Sequence, residues 1–502
     1  MLSDYVSGSC PACPSPFNMA AYVLSASETL PDKVALQIVG NAGAQNWTYK
    51  KLRQAVLGTA TGLVESGVTS GDKLLMRLGN TIDFPIVYLA ALAVGAVPVP
   101  TASSLTVREV SALIATLEPD WILIDPQFVC PDFGQRITVD DLRGFRHLPA
   151  SKFDLGSPER LGYMVFTSGT SGHQRAVCHA HRAIWARQMM FNGWYGLQSS
   201  DRVMHAGAFN WTYTLGTGLM DPWTIGATAI IPEAGTPVQQ LPELMRRYKA
   251  TIFAAAPGIF RQILATDTDF QMPELRHGLS AGEKLPSSIA DKWFNATGCP
   301  LLEAYGMSEC STFVSHSPDA PRSNNTLGRP QPGRRIAIVE DGAPVSLGSE
   351  GTIAIHRSDP GLMLGYYNEA VETNKRFAGD WFLTGDRGKM DADGYITFLG
   401  RSDDMMNAGG FRVSPIEVEN VLLKLDGVDT VAVTEVTVKE GTNVIAAFYT
   451  GPSPLDETVW RSYVTETLAR YKQPRMFIHQ ADLPMGSNGK ILRRALRDRF
   501  ES

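Results

Sequence analysis

The chain has 502 residues, 44% hydrophobic and 19% charged, which is enough for two or more domains with large buried cores. A formal net charge of −6 argues against a dominant basic face for nucleic acid. No run of about 18 apolar residues is present to span a membrane, the amino terminus lacks the pattern of a secretion signal, and six cysteines are too few for a disulfide scaffold, so a cytoplasmic protein is expected.

Cys10 and Cys13 form a CxxC, but a structural zinc site wants a second such pair and none follows. Next in the chain, "YKKLRQAVLGTATGLVESG" has apolar residues at helical spacing and ends in Gly67. "DKLLMRL" and "VPVPT" read as short strands, with the apolar helix "DFPIVYLAALAVGA" between them. The pattern resumes at "RVMHAG", "ATAIIP" and "ATIFAAA". Such alternation predicts an α/β sheet with helices on its faces. From about Ile336, "RIAIVEDGAPVSLGSEGTIAIHR" and "GYITFLG" alternate around Asp-Gly and Glu-Gly turns, so antiparallel β-structure is expected there. "GRSDDMMNAGG" is polar and glycine-flanked, as an interdomain hinge would be. After it, Ser414 caps a helix with Pro415 at its first position and Glu417 reaching back. Two strands, "TVAVTEVTV" and "VIAAFYT", and a last helix complete a small α+β domain. The expected division is residues 1–400, a hinge at 401–404, and 405–502.

Several short stretches carry chemistry. Between the strand candidate "GYMVF" and the helical "HRAIWARQMMFNG" lies "FTSGTSGHQRAV". Backbone N–H groups of a Gly/Ser/Thr turn form an anion-binding nest, and Arg175 adds a fixed charge. Taken alone, the turn reads equally well as a solvated surface loop. It lacks the Lys-Ser/Thr ending of a P-loop, which disfavours a Walker-type NTPase. In "EAYGMSE" an aromatic face suits a purine, and a carboxylate suits a hard cation already held by phosphates. At the far end, Ser487 or Asn488 is expected to cap a helix with Lys490 in its first turn, where a cation opposes the helix dipole. Arg493, Arg494 and Arg497 are expected to be solvated helix charges.

With these residues in view, the chain resembles the adenylate-forming enzymes: acyl-CoA synthetases, adenylation domains and luciferases. Their phosphate-gripping loop reads roughly TSGTTGxPKG. Here it is Thr167, Ser168, Gly169, Thr170, Ser171 and Gly172, with Arg175 in place of the lysine and neither the proline nor the last glycine kept. The resemblance implies that this loop holds the β- and γ-phosphates of ATP. In "EAYGMSE", running through Glu303, Ala304, Tyr305, Gly306 and Met307, it implies that Tyr305 stacks on adenine, Ser308 holds the α-phosphate and Glu309 coordinates Mg²⁺. "SAGEKLP", with Gly282, Glu283 and Lys284, resembles the loop lining the adenine and the acyl carboxylate. "WFLTGDRGKMDADGYITFLGRSDD" resembles the ribose-binding and hinge block, where Asp386, Phe398 and Arg401 would face the nucleoside and Asp403 would be the pivot. Asp386 also reads as a plain turn residue. "NAGGFRVSPIEVE" resembles the loop that presents coenzyme A, with Gly409, Gly410 and Phe411. Lys490 takes the place of the lysine that bridges carboxylate and α-phosphate during adenylation. The implied fold is a large multi-sheet α/β N-terminal domain plus a small mobile α+β C-terminal domain.

The acyl-pocket stretch of relatives corresponds to "HAGAFNWTYTLGTGLMDPWTIGATAII". Phe209, Asn210, Trp211 and Tyr213, with Ala256, Pro257, Gly258 and Ala281, are expected to line a short, flat pocket, some of the rings serving the core instead. No acid precedes Asp221, which disfavours amino-acid activation. The wording is most like benzoate- and hydroxybenzoate-CoA ligases, with medium-chain acyl-CoA synthetases second. The chain ends soon after Lys490 without a carrier domain, so free CoA is the expected acceptor. Two rivals stay open: a stand-alone adenylation enzyme loading a carrier protein, and a non-catalytic adenylate-binding protein. The expected partners are a carboxylic acid, ATP and CoA, without nucleic acid or membrane, in a monomer or homodimer.

Overall fold

The computed structural model describes residues 1–167, 174–266, 270–320, 325–402, 404, 406–408, 411–439, 442–468, 470–486 and 491–501. It divides into two compact units: Tyr5–Ile336 with Ile355–Phe382, and Met1–Asp4 with Ala337–Ala354 and Leu383–Ser502.

The larger unit is built on a nine-stranded sheet. Its middle strands, Leu301–Met307, His277–Ala281, Ile252–Ala255, Arg202–His205, Thr228–Pro232 and Val34–Gly40, run parallel in that order. Antiparallel strands flank this run, Ser311–Ser315 and then Arg329–Pro330 on one side and Gly43–Thr48 on the other. The central strands are buried from end to end, as "TAIIP" and "IFAA" would have to be under helices on both faces. The helix Asp83–Ala93 is apolar all round and buried throughout, so it serves as core and not as a surface helix. Beside it lies Tyr49–Glu65, capped by the Thr48 side chain and burying one face. A second sheet holds four parallel strands, Val97–Pro100, Lys73–Arg77, Trp121–Ile124 and Arg136–Thr138. A third has three antiparallel strands, Gly365–Tyr366, Ala176–Ala180 and Leu161–Phe166. Two segments wind as π-helix, Phe191–Tyr195 and Thr214–Met220.

In the smaller unit, Asp386–Met390 pairs antiparallel with Ile396–Arg401. The helix Pro415–Leu422 starts as its sequence predicts, the Ser414 hydroxyl accepting from the Glu417 amide at 3.2 Å. Thr430–Lys439, Thr442–Thr450 and Met476–His479 form a sheet with helices packed against it. Val418, Leu422, Val433, Ala447 and Trp460 share one core there, while Val436, Phe448 and Leu496 share another.

After the phosphate-loop candidate comes the strand Ala176–Ala180, and the expected helical stretch follows with turns from Ala183. Two expectations need correction. The last helix begins at Arg493, and Ile491 forms a β-bridge with Met485. Ser487, Asn488 and Lys490, the expected cap and first-turn residues, lie outside the described residues. Arg493 is not a solvated charge either: it grips both oxygens of Glu419 at 2.8 and 2.7 Å and lies 3.7 Å from Asp404. Arg497 donates to the Glu435 carbonyl and the Thr434 hydroxyl. Arg494 is exposed, as expected.

No helix among the described residues is long and apolar enough to cross a membrane. Among the same residues, no group of three or more His, Cys, Asp or Glu could hold a metal. Cys10 and Cys13 are free thiols.

Candidate active site

Ligands of open α/β sheets bind beyond the carboxyl ends of the parallel strands. In the larger unit those ends carry most of the segments singled out in the sequence: Ala206–Tyr213 after one strand, Ala256–Gly258 after the next, Ala281–Lys284 after the third, and Tyr305–Glu309 at the fourth.

The phosphate-loop candidate leaves from a closed neck. Phe166 pairs with Ala176, and the Thr167 amide donates to the Arg175 carbonyl at 2.9 Å. Ser168, Gly169, Thr170, Ser171 and Gly172 lie outside the described residues. Arg175 is held by two carboxylates, donating to Glu369 at 2.8 Å and Glu372 at 3.0 Å, and its guanidinium sits 5.5 Å from the Tyr366 ring centroid. Its side chain is 31% exposed, so these pairs are of the weak, solvent-screened surface kind. They do not lock it.

The same small sheet reaches the segment Ser308–Glu309. His179 donates from Nε2 to the Ser308 carbonyl at 2.7 Å. The Tyr366 hydroxyl donates to Glu309 Oε1 at 2.6 Å, and the Met363 amide donates to the Glu309 carbonyl at 2.8 Å. Burial and the neighbouring Glu309 both push the Tyr366 phenol upward, so it remains a donor at neutral pH. Glu309 is 7% exposed, with one carboxylate oxygen fixed by tyrosine. Tyr305 is partly exposed, its edge against Phe313 at 5.0 Å. A β-bulge falls between Tyr305 and Gly306, where any Cβ on Gly306 would lie 2.2 Å from the Ser311 carbonyl oxygen. Ala304 belongs to the core. Met307 is partly exposed at the strand's end. Glu303 is buried and accepts from the Leu285 amide at 2.7 Å, which ties the Gly282–Glu283–Lys284 turn to the strand.

The acyl-pocket candidates separate. Phe209 is 1% exposed and packs on Phe84. Its loop is held by Asn80, which accepts from the Phe209 amide at 2.7 Å. Tyr213 is core too, packed among Trp194, His205 and Trp211, its hydroxyl donating to the Leu279 carbonyl at 3.0 Å. Ala281 and Pro257 are buried. Trp211 is partly exposed and leans on Gly282, which has φ +95° and has no room for a Cβ: one built there would fall 2.5 Å from the indole. Ala256 precedes the helix Pro257–Leu264, and Gly258 faces open space.

A cavity does open in this unit, and it includes only Asn210 and Ser308 of the residues expected from sequence. Tyr163, His179, Arg187 and Thr212 supply further polar lining, while Tyr88, Val165, Ile184, Leu215 and Met220 supply apolar lining. Sequence reasoning missed these. The one available signal was that Tyr163 and His179 fall opposite each other once the two strands pair. Arg187 is buried and forks onto Asp221 at 2.7 and 2.5 Å, with Nη1 donating to Ser311. Asp221 also accepts from Tyr195. Its charge is therefore spent inside the fold and is not offered to a substrate ammonium.

In the smaller unit, Asp386 and Arg401 face each other across the hairpin, 3.5 Å apart. Phe398 pairs with Gly388 on the same ladder. Phe411 pairs with Ala408. Asp403, Gly409, Gly410 and Lys490 lie outside the described residues.

The family model for AMP-binding enzymes matches residues 24–367, and that for their C-terminal domain matches residues 417–490. The chain belongs to this family. It is 28% identical to a 3-hydroxybenzoate–CoA/4-hydroxybenzoate–CoA ligase of Thauera aromatica, over 91% of this chain and 92% of that one. It is 29% identical to acyl-coenzyme A synthetase ACSM5 of Mus musculus, over 97% and 91% respectively. Among solved structures, an anthranilate CoA ligase in complex with anthranoyl-AMP superimposes with a TM-score of 0.88 at 25% identity, covering 97% of this chain and 98% of that one.

Proposed function

We propose that the protein is an AMP-forming acid–CoA ligase acting on an aryl or other compact carboxylic acid. One observation carries this reading: a single strand, Ala176–Ala180, begins at the neck of the phosphate loop and, through His179, bonds to the Ser308 carbonyl beside Glu309. In the first step a carboxylate oxygen bonds to the α-phosphorus of ATP, and the bond to the pyrophosphate leaving group breaks. Arg175 and the loop amides take the leaving charge, Ser308 the α-phosphate, and Lys490 the charge of the transition state. Tyr305 takes the adenine face, with Gly282, Glu283, Lys284, Glu303, Ala304, Gly306 and Met307 around it. Asp386, Phe398 and Arg401 take the nucleoside.

Glu309 offers one hard carboxylate oxygen beyond the one Tyr366 occupies, which fits Mg²⁺ completed by phosphate oxygens. When bound, that ion would supply charge neutralisation on the phosphates. In the second step the CoA sulfur attacks the acyl carbonyl, AMP leaves and the thiol proton passes to solvent. We assign residues 1–400 and 405–502 as the two working domains, 401–404 as the hinge with Asp403 as pivot, and Gly409, Gly410 and Phe411 as the path of the pantetheine arm.

ATP–pyrophosphate exchange over aryl, short-chain and medium-chain acids tests the proposal. Exchange with none of them overturns it. Arg175→Lys keeps most of the exchange rate, because a surface pair with Glu369 or Glu372 survives the change and a point charge still reaches phosphate. Arg175→Ala raises the KM for ATP or slows adenylation; a wild-type ATP profile for that variant would show that the loop amides suffice.

Trp211→Ala shifts preference toward larger acids and weakens small ones. The indole stands over Gly282, beside the strand ends assigned to the acyl site, and one ring contact is worth about 1–3 kcal/mol, so the shift is graded. An unchanged acid profile would remove Trp211 from the pocket.

A further inference from the structure

We infer that His179 is a specificity-determining residue: its Nδ1 lone pair accepts a hydrogen bond from a hydroxyl or amino substituent on the acyl group bound in the adjoining cavity. The inference rests on the reading that this site adenylates an acid.

His179 is 2% exposed and lines the cavity together with Asn210, Thr212 and Ser308. Its ring is fixed from two sides. Nε2 donates to the Ser308 carbonyl at 2.7 Å, and the ring stacks on Tyr163 at 4.8 Å with planes 15° apart. With the proton committed to Nε2, Nδ1 is an acceptor. It has no partner among the described residues. Burial, with the Arg182 charge adding to it, holds the imidazole down to about 4 despite the Ser308 bond, so the ring is neutral at pH 7 and does not become a second donor.

A buried acceptor left without a donor is costly, and buried polar groups are almost always satisfied. The rest of the lining tells what kind of molecule brings the donor. Tyr88, Val165, Leu215 and Met220 give an apolar wall, which suits a ring or short branched body. Arg187 lines the same cavity, but Asp221 and Ser311 already engage it, so it does not call for a second carboxylate. The lining matches the chemistry of an apolar acid with one donor group. An ether oxygen or a carboxylate in that place would meet the Nδ1 lone pair with its own.

The test compares kcat/KM in pyrophosphate exchange for the ortho, meta and para hydroxybenzoates and aminobenzoates with that for benzoate and the matching methoxybenzoates. Wild type favours at least one donor-bearing acid over its methyl ether by roughly tenfold or more. His179→Phe keeps the ring volume and loses both nitrogens. Losing the Ser308 bond slows every acid alike and so cancels in the ratio, whereas losing the acceptor collapses the ratio toward one. His179→Asn puts an acceptor oxygen near the place of Nδ1 without reaching Ser308, and so retains the preference on a slower background. A ratio that survives His179→Phe, or wild type that uses benzoate without any donor preference, overturns the inference and leaves the ligase intact. Exchange with no acid at all overturns the ligase reading itself.

Discussion

Lys490→Ala lowers acyl-adenylate formation by on the order of 10²–10³ while thioester formation from a supplied acyl-adenylate stays within a few-fold of wild type. The argument is one of charge. Attack on the α-phosphorus gathers negative charge on phosphate and carboxylate oxygens at once. An ammonium placed between them stabilises that arrangement more than it stabilises the separated ground state. The second step builds charge on the acyl carbonyl and the departing AMP and, on the proposed rotation about Asp403, takes place after the lysine has left. Pyrophosphate exchange reads the first step alone, and a purified acyl-adenylate with CoA reads the second. Equal losses in both would place Lys490 in a general binding or folding role.

Acid unfolds the larger unit early, with a steep loss of stability between about pH 6.5 and pH 4. Four histidines there are buried with depressed basicity: His179 and His277 lie at about 4, and His181 and His205 at about 3. Burial is the largest cause for each, with Arg182, Arg276 and Arg160 adding to it at the first three. Unfolding returns each to about 6.5, so in this window the unfolded chain binds more protons and stability rises with pH. The contribution is complete above pH 6.5 and is lost as pH falls toward the folded values. Near pH 5 the uptake on unfolding approaches four protons, each worth about 1.4 kcal/mol per pH unit. Denaturant titrations followed from pH 7.5 to 4.5 measure this slope. Stability that stays flat from pH 7 to pH 5 would mean that these rings gain solvent or partners in solution.

The sequence revealed the fold where local signals and burial agree. "ATIFAAA" and "ATAIIP" are apolar because both sheet faces are covered, and Ser414-Pro415 caps a helix by itself. It also pointed to segments that the larger unit places at the ends of its parallel strands, Tyr305–Glu309 and Ala281–Lys284 among them. It did not reveal which side chains in those segments face the ligand. Phe209 and Tyr213 look like pocket rings but serve the core, because Phe84 and Leu279, distant in sequence, come to meet them. Arg187 looks like one more helix charge until Asp221, 34 residues on, neutralises it. His179 lies in an unremarkable buried strand, and its importance depends on pairing with Tyr163 and on reaching Ser308. The terminal helix misled for the opposite reason: "SNGK" has good capping chemistry, yet Ile491 bridges to Met485 and the helix waits until Arg493.

The π-helical segment Thr214–Met220 bears on how the acid site can be altered by insertion and deletion. It supplies Leu215, Gly216 and Met220 to the cavity and leads on to Asp221, the partner of Arg187. A π-turn holds one residue more than the α-turn it interrupts. Deleting a single residue here would remove the one the π-turn holds in excess and restore ordinary winding, while the turns on either side keep their orientation. Leu215 and Gly216 would shift in the cavity wall while Asp221 kept its grip on Arg187, so the binding site would be rearranged with the buried ion pair intact. Point substitutions can tune this wall only by volume and polarity. A change of length at this one place would re-aim it.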